Sequence, residues 1–103
     1  MKILISNSAF NDLEAIKEYY TDEGVPHIGE EFLVNIITQV ETLITNPDIG
    51  RKVPEFNENN IRELIHSPFR IVYLKEEKII NIIRVWRSER LLNLTDTPAN
   101  KKI

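Results

Sequence analysis

Residues 69–86, FRIVYLKEEKIINIIRVW, decide the fold of this 103-residue chain. The first six residues alternate between two faces of a strand, with Phe69, Ile71 and Tyr73 on one of them. Residues 76–78 predict a tight turn, and residues 79–86 are apolar almost without interruption. A run of that kind is typical of a strand that has neighbours on both sides. The segment therefore predicts an antiparallel hairpin whose second strand lies inside a sheet.

The residues before this hairpin predict two more short strands, at 2–6 and 61–65, with two helices between them. Ser8 is the expected N-cap of the first helix, which Gly24 and Pro26 should end. The second helix should begin near Ile28. Its apolar residues recur every three or four positions, which predicts one buried face made of Phe32, Leu33, Ile36, Ile37, Val40, Leu43 and Ile44.

The predicted element order is β-α-α-β-β-β, an α/β (α+β) fold in which a helical hairpin packs on a small antiparallel sheet. A chain of 103 residues is long enough for one domain and too short for two. We expect a single domain over residues 1–94. Residues 95–103 are mostly polar, contain Pro98, and are expected to form a tail.

The composition excludes several classes of protein. The chain has no cysteine, so disulfide frameworks, thiolate zinc sites and cysteine nucleophiles are excluded. No stretch approaches the roughly 20 apolar residues that a membrane span needs. These features predict a cytoplasmic protein with no membrane partner.

The charge is divided unevenly along the chain. The net charge is −3, but residues 1–50 carry two basic residues against nine acids, whereas residues 51–90 carry nine against six. All six arginines lie in this second stretch. Arginine is suited to bidentate recognition of phosphates and carboxylates, so the stretch is the candidate working surface. The alternative is that the interleaved glutamates neutralise these arginines within the chain.

The sequence offers little catalytic machinery. It contains two histidines, His27 and His66, and no metalloprotease motif, nucleophile elbow, P-loop or acidic metal cluster. We therefore expect no metal, no cofactor and no small-molecule ligand. Arg62 and Arg70 would share a sheet face in one register, and Arg84 and Trp86 share a face by period two. A binding surface is predicted at Arg51, Arg84, Trp86 and Arg90.

Three strings, GRKVPE at residues 50–55, IREL at 61–64 and RIVY at 70–73, resemble the RelE/ParE superfamily of bacterial toxins. The resemblance extends over about residues 2–92 and includes positions in both predicted helices, among them Leu13, Ile16, Tyr20, Phe32, Ile36 and Leu43. It implies a helical hairpin against an antiparallel sheet, and a cognate antitoxin that wraps and neutralises the toxin.

The resemblance leaves the target open. ParE-like members poison DNA gyrase, whereas RelE-like members cut mRNA on the ribosome. Arg70 matches an arginine that lies by the scissile phosphate in the nucleolytic members. If the chain is a nuclease, the catalytic candidates are Arg62, Arg70, Arg87, Glu63 and Glu89. The His or Tyr expected after the last strand is missing, and the chain is acidic, so the gyrase interpretation is favoured. A third alternative is an inactive member that retains only antitoxin binding.

Overall fold

The structure, a computed structural model, describes residues 1–87. Its two helices and five strands follow one another in the order that the sequence predicts, with one additional short strand. The elements are β1 (Lys2–Ile5), α1 (Asn7–Asp22), α2 (Pro26–Glu41) with a 3-10 turn (Thr42–Ile44), β2 (Arg51–Lys52), β3 (Ile61–His66), β4 (Phe69–Lys75) and β5 (Ile79–Arg87).

The five strands form one sheet in the order β1-β5-β4-β3-β2. The predicted hairpin is confirmed as β4 and β5, and β5 lies between β1 and β4 as its continuous apolar content indicated. The β-α-α-β-β-β fold class is likewise confirmed. Two details differ from the prediction: β2 adds a fifth strand, and β1 pairs with β5 in parallel, so the sheet is mixed and not purely antiparallel as predicted.

Both helices begin earlier than predicted. Ser6, not Ser8, caps α1: its hydroxyl accepts a bond from the Ala9 amide at 3.0 Å and donates one to the Ile83 carbonyl at 3.1 Å. The chain thus turns into α1 directly after β1. Pro26 occupies the first turn of α2, where its fixed φ is compatible with a helix and its missing amide costs nothing.

The core lies between the helical hairpin and one face of the sheet. Phe69, Ile71 and Tyr73 of β4 all face it, as predicted, and are at most 1% exposed. Ile36 of α2 is 1% exposed, whereas Ile37 and Ile44 are 37% and 45% exposed, so their assignment to the core was wrong. The three-to-four spacing identified the helix, but the buried face predicted from it was too wide.

No helix within residues 1–87 combines the length and apolar character needed to cross a membrane.

Replacing Ile36 by Ala should lower the free energy of unfolding by about 2–5 kcal/mol, because it removes a fully buried side chain from the core. The neighbouring substitution Ile37→Ala is the matched control, and it should cost clearly less because that side chain already contacts solvent. Urea denaturation of the two variants measures both values. Equal losses would contradict the assignment of the buried face.

Candidate functional site

The face of the sheet that points away from the helices carries a partly buried ionic network. Glu63 of β3 is 1% exposed, and its two carboxylate oxygens accept bonds from the Nε atoms of Arg70 and Arg51. The two terminal nitrogens of Arg70 bind the Glu55 carboxylate at 2.9 and 3.0 Å. Two carboxylates and two guanidiniums therefore neutralise one another. We call Arg51, Glu55, Glu63 and Arg70 the ionic network.

The register of the strands assembles this network. Arg51 lies opposite Glu63 in the β2–β3 pair, and Arg70 lies one diagonal step from Glu63 in the β3–β4 pair. The chain then folds back after β2, because the amides of Phe56 and Asn57 both bind the Val53 carbonyl. That turn places Glu55 above the Arg70 guanidinium. The strings GRKVPE, IREL and RIVY thus meet at one place, although they lie apart in sequence.

The ionic contacts shift the protonation equilibria of their members. The bidentate bond from Arg70 lowers the pKa of the Glu55 carboxyl below its ordinary 4.5, against a smaller opposing effect of burial. The same bond, together with the one that Arg70 donates to Glu63, raises the pKa of the Arg70 guanidinium. Both groups are therefore charged at neutral pH, and the Arg70 donors are directed at protein carboxylates.

Arg62 lies on the opposite face of the sheet from Arg70. The register pairs Arg62 with the core residue Tyr73, so it is not the register in which the two arginines would share a face. The Arg62 guanidinium donates to the backbone carbonyls of Asn59 and Gly50 at 2.9 and 2.8 Å. Within residues 1–87 it holds the loop before β2 in place.

Tyr73 holds the same loop through two hydrogen bonds from inside the core. Its hydroxyl donates to the Pro47 carbonyl at 2.8 Å and accepts from the Gly50 amide at 3.0 Å. A Cβ atom at Gly50 would lie 2.6 Å from that hydroxyl and 2.7 Å from the Glu63 carbonyl. Only glycine fits this close approach, which explains the glycine at the start of GRKVPE.

A second ionic contact lies at the end of β5. Because β1 pairs only with Ile79–Ile82, no strand within residues 1–87 lies beside the edge of β5 beyond them. The Asp12 carboxylate of α1 takes the place of a strand there: it accepts from the Val85 amide at 2.8 Å and from Arg84 at 2.8 and 2.9 Å. This role of Asp12 was missed. The available signal was its position four residues before Ile16, beside the buried helix face.

Trp86 and Arg84 share a face, as predicted. The Arg84 guanidinium lies 4.8 Å from the centroid of the Trp86 ring, which is a cation–π contact. Trp86 pairs with Arg70 across the β4–β5 ladder, and Arg84 pairs with Val72. Residues directly opposite in a ladder point to the same side. Arg70, Arg84 and Trp86 therefore form one row with the ionic network; we call this the back face.

Arg87 lies on the helix side. Its guanidinium is 5.6 Å from the centroid of the Phe69 ring and 3.4 Å from the Tyr20 hydroxyl. Arg87 also borders a groove of about 360 Å³ between α1 and the end of β5, lined mainly by aromatic and apolar side chains that include Ile16, Tyr19, Tyr20, Phe69, Val85 and Trp86.

The predicted site residues therefore divide into groups. Arg51, Glu63, Arg70, Arg84 and Trp86 come together on the back face, whereas Arg62 and Arg87 do not. Glu89, Arg90 and the boundary between residues 94 and 95 lie outside the described residues.

His66 is not part of the charged site. It pairs with Phe69 at the end of the β3–β4 ladder, and its ring lies edge-on to Phe32 at 6.4 Å between centroids. In the described part of the chain, no three histidine or acidic side chains are grouped so that they could bind a metal ion.

Comparison with known proteins identifies the family. The model of the ParE toxin of type II toxin–antitoxin systems, parDE, matches residues 3–92. The chain belongs to the ParE toxin family. It is also similar to a solved structure described as the chromosomal ParDE TA system from P. aeruginosa, with a TM-score of 0.69 and 28% sequence identity. That match covers 84% of this chain and 95% of the other. No curated protein sequence matches.

Within this ParE family member, the strings that carried the resemblance are the strings that build the ionic network. The network also explains why Arg70→Ala is a poor test of catalysis. That substitution would leave the Glu63 carboxylate buried without one of its two cations, and a variant that is unstable loses any function.

Replacing Glu63 by Ala should cost about 3–5 kcal/mol of unfolding free energy, because Arg70 then keeps a buried charge without its partner in the strand. Glu58→Ala is the control, since Glu58 is an exposed glutamate in the neighbouring loop, and its cost should stay below about 0.5 kcal/mol. Chemical denaturation measures both. A loss as small as that of the control would show that the network contributes nothing to stability.

The Glu55–Arg70 contact should also make stability depend on pH. Because the pKa of Glu55 is lowered in the folded state, its contribution is complete above the ordinary value of 4.5 and is lost as the pH falls through the folded value. The stability difference between the wild type and Glu55→Gln should therefore be largest near neutrality and shrink below pH 4.5. A difference that stays constant down to acid pH would contradict this assignment.

Proposed function

We propose that this ParE family toxin inhibits growth by binding DNA gyrase, with no chemistry of its own, and that a cognate antitoxin keeps it inactive. Such a target lies in the cytoplasm, where we place the protein. The antitoxin partner is proposed from the family and from the ParDE system to which the chain is similar.

The gyrase proposal rests on the groups that the arginines bind in the structure. Arg51 and Arg70 bind carboxylates of the ionic network, Arg84 binds Asp12, and Arg62 binds backbone carbonyls. A guanidinium that stabilises a reacting phosphate must direct its donors at the position where charge develops. In the part of the chain that the structure describes, these four direct their donors at the protein.

The nuclease alternative also needs a base for the ribose hydroxyl and an acid for the leaving oxygen. Glu63 was the candidate base, but it is 1% exposed and both of its oxygens accept bonds from arginines. A base has to reach its proton within hydrogen-bond distance. The arrangement of Glu63 and Arg70 therefore favours a structural role for them over a catalytic one.

On this proposal the back face becomes the candidate contact surface for gyrase. Trp86 is half-buried and stacked by Arg84, so its ring is held in one orientation and still reaches solvent. Tryptophan and arginine are the residue types that most often dominate the energy of protein interfaces. The ionic network beside them joins β2, β3 and β4 through ion pairs.

Inducing the chain in a bacterial cell should leave mRNA intact while DNA double-strand breaks accumulate, because a gyrase poison traps the broken intermediate. In vitro, the purified chain should increase cleaved DNA in a gyrase reaction. Rapid transcript cleavage at codons would favour the nuclease instead. Normal growth after induction would indicate an inactive member that only binds antitoxin.

Two single variants locate the contact surface in the same assay. Trp86→Ala should reduce the gyrase effect about tenfold or more if the back face binds the enzyme. Phe56→Ala removes another aromatic ring, 51% exposed, from the loop beside the ionic network and should change little. Both proteins must show wild-type unfolding midpoints for the comparison to count.

A further inference from the structure

The helical hairpin carries an unbalanced negative charge. Residues 7–41 contain eight acidic side chains and a single cation, Lys17. Asp12 binds Arg84 across the sheet edge, and the structure of residues 1–87 shows no ion pair for the other seven acids. Like charges this dense on neighbouring turns repel one another and destabilise a helix. A positively charged partner would remove that penalty.

An exposed apolar row runs through this acidic surface. Val34, Ile37 and Ile44 are 64%, 37% and 45% exposed. Together with Glu30 and Glu41 they follow successive steps of four, three, four and three, which places all five along one line of α2 and its terminal 3-10 turn. We call Glu30, Val34, Ile37, Glu41 and Ile44 the hairpin stripe.

The stripe combines three apolar side chains with two acidic ones. Three exposed aliphatic side chains at helical spacing are the features that an amphipathic segment recognises in a groove or on a helix face. Glu30 before them and Glu41 between Ile37 and Ile44 determine the sign of charge that such a segment must carry. The core side chains of α2 point the other way, since Ile36 and Val40 are 1% and 4% exposed.

We propose that the hairpin stripe is the docking surface for a positively charged amphipathic segment of the antitoxin. This inference rests on the proposed function, which supplies the antitoxin, and adds where it binds and what charge it carries. Its apolar side chains would cover Val34, Ile37 and Ile44, and its lysines or arginines would pair with Glu30 and Glu41.

Charge selects this occupant over the others. A second copy of the chain would bring another acidic hairpin against the first, and juxtaposed like charges oppose association. Nucleic acid and anionic lipid surfaces are repelled for the same reason. A cationic protein segment gains from both parts of the stripe: burial of the aliphatic side chains and pairing with the glutamates.

The test uses the whole chain and the antitoxin encoded by the adjacent reading frame, with affinity measured by calorimetry. The double substitution Val34→Ser/Ile37→Ser should weaken binding about tenfold or more, because it removes the centre of the contact. The matched control is Ile65→Ser on β3, a residue 48% exposed on the opposite side of the sheet. Its affinity should equal that of the wild type, and the unfolding midpoints of all variants are compared.

Two double variants that each remove two glutamate charges test the sign of the charge on the partner. Glu30→Gln/Glu41→Gln should slow association and weaken its dependence on salt, whereas Glu58→Gln/Glu77→Gln removes the same charge outside the hairpin and should not. Hydrogen exchange of the complex should protect residues 30–44 of the toxin and a segment of the antitoxin with net positive charge.

Each other outcome has a distinct meaning. Equal affinities for the stripe and control variants, protection confined to another surface, or a protected antitoxin segment with net negative charge would each overturn the docking inference while leaving the proposed function in place. An adjacent gene product that does not bind or neutralise the wild type would instead refute the proposed antitoxin, and the inference would fail with it.

Discussion

The buried carboxylate of Glu63 is the interaction on which the rest of this fold depends. A carboxylate at 1% exposure is unfavourable unless each oxygen has a cationic or hydrogen-bonding partner. Arg70 supplies one partner from the adjacent strand and Arg51 supplies the other from β2. The two-residue β2 is therefore held at the sheet edge by an ion pair as much as by its ladder. Glu55 then completes the neutralisation of Arg70 and fixes the loop above it.

The parts of the fold that could be predicted are those whose signal is local. The β4–β5 hairpin can be predicted from alternation, a polar turn and a continuous apolar strand, all within residues 69–86. The Asp12–Arg84 contact joins positions 72 residues apart, and no short window contains it. The parallel pairing of β1 with β5 also joins positions far apart in sequence, so no short window contains it. Helical spacing cannot distinguish Ile36 from Ile37, because adjacent positions differ by only 100° around the axis and the width of the buried face depends on what packs there.

The candidate site could be anticipated as a set of residues but not as an arrangement. Arginines 51, 62, 70 and 84 were recognisable from composition, whereas their partners depend on register. A shift of one residue moves a side chain to the other face, and this is why Arg62 and Arg70, both on short strands, end on opposite sides. The alternative weighed from the sequence, that interleaved glutamates neutralise the arginines, describes Arg51 and Arg70. Arg51 and Arg70 are thus neutralised from within the positive stretch, whereas Arg84 pairs with Asp12 of α1.

Because these arginines are paired, the unbalanced charge of the molecule lies on its helices. Arg51, Arg70 and Arg84 pair with carboxylates, whereas seven carboxylates of the acidic half have no ion pair in residues 1–87. The hairpin stripe and the back face lie on opposite layers, and the shortest extent of the molecule is 21 Å. An extended chain of about seven residues covers that distance. A helix docked on the stripe alone therefore leaves Trp86 open. An antitoxin that blocks the back face directly has to continue past the stripe in an extended segment of at least that length.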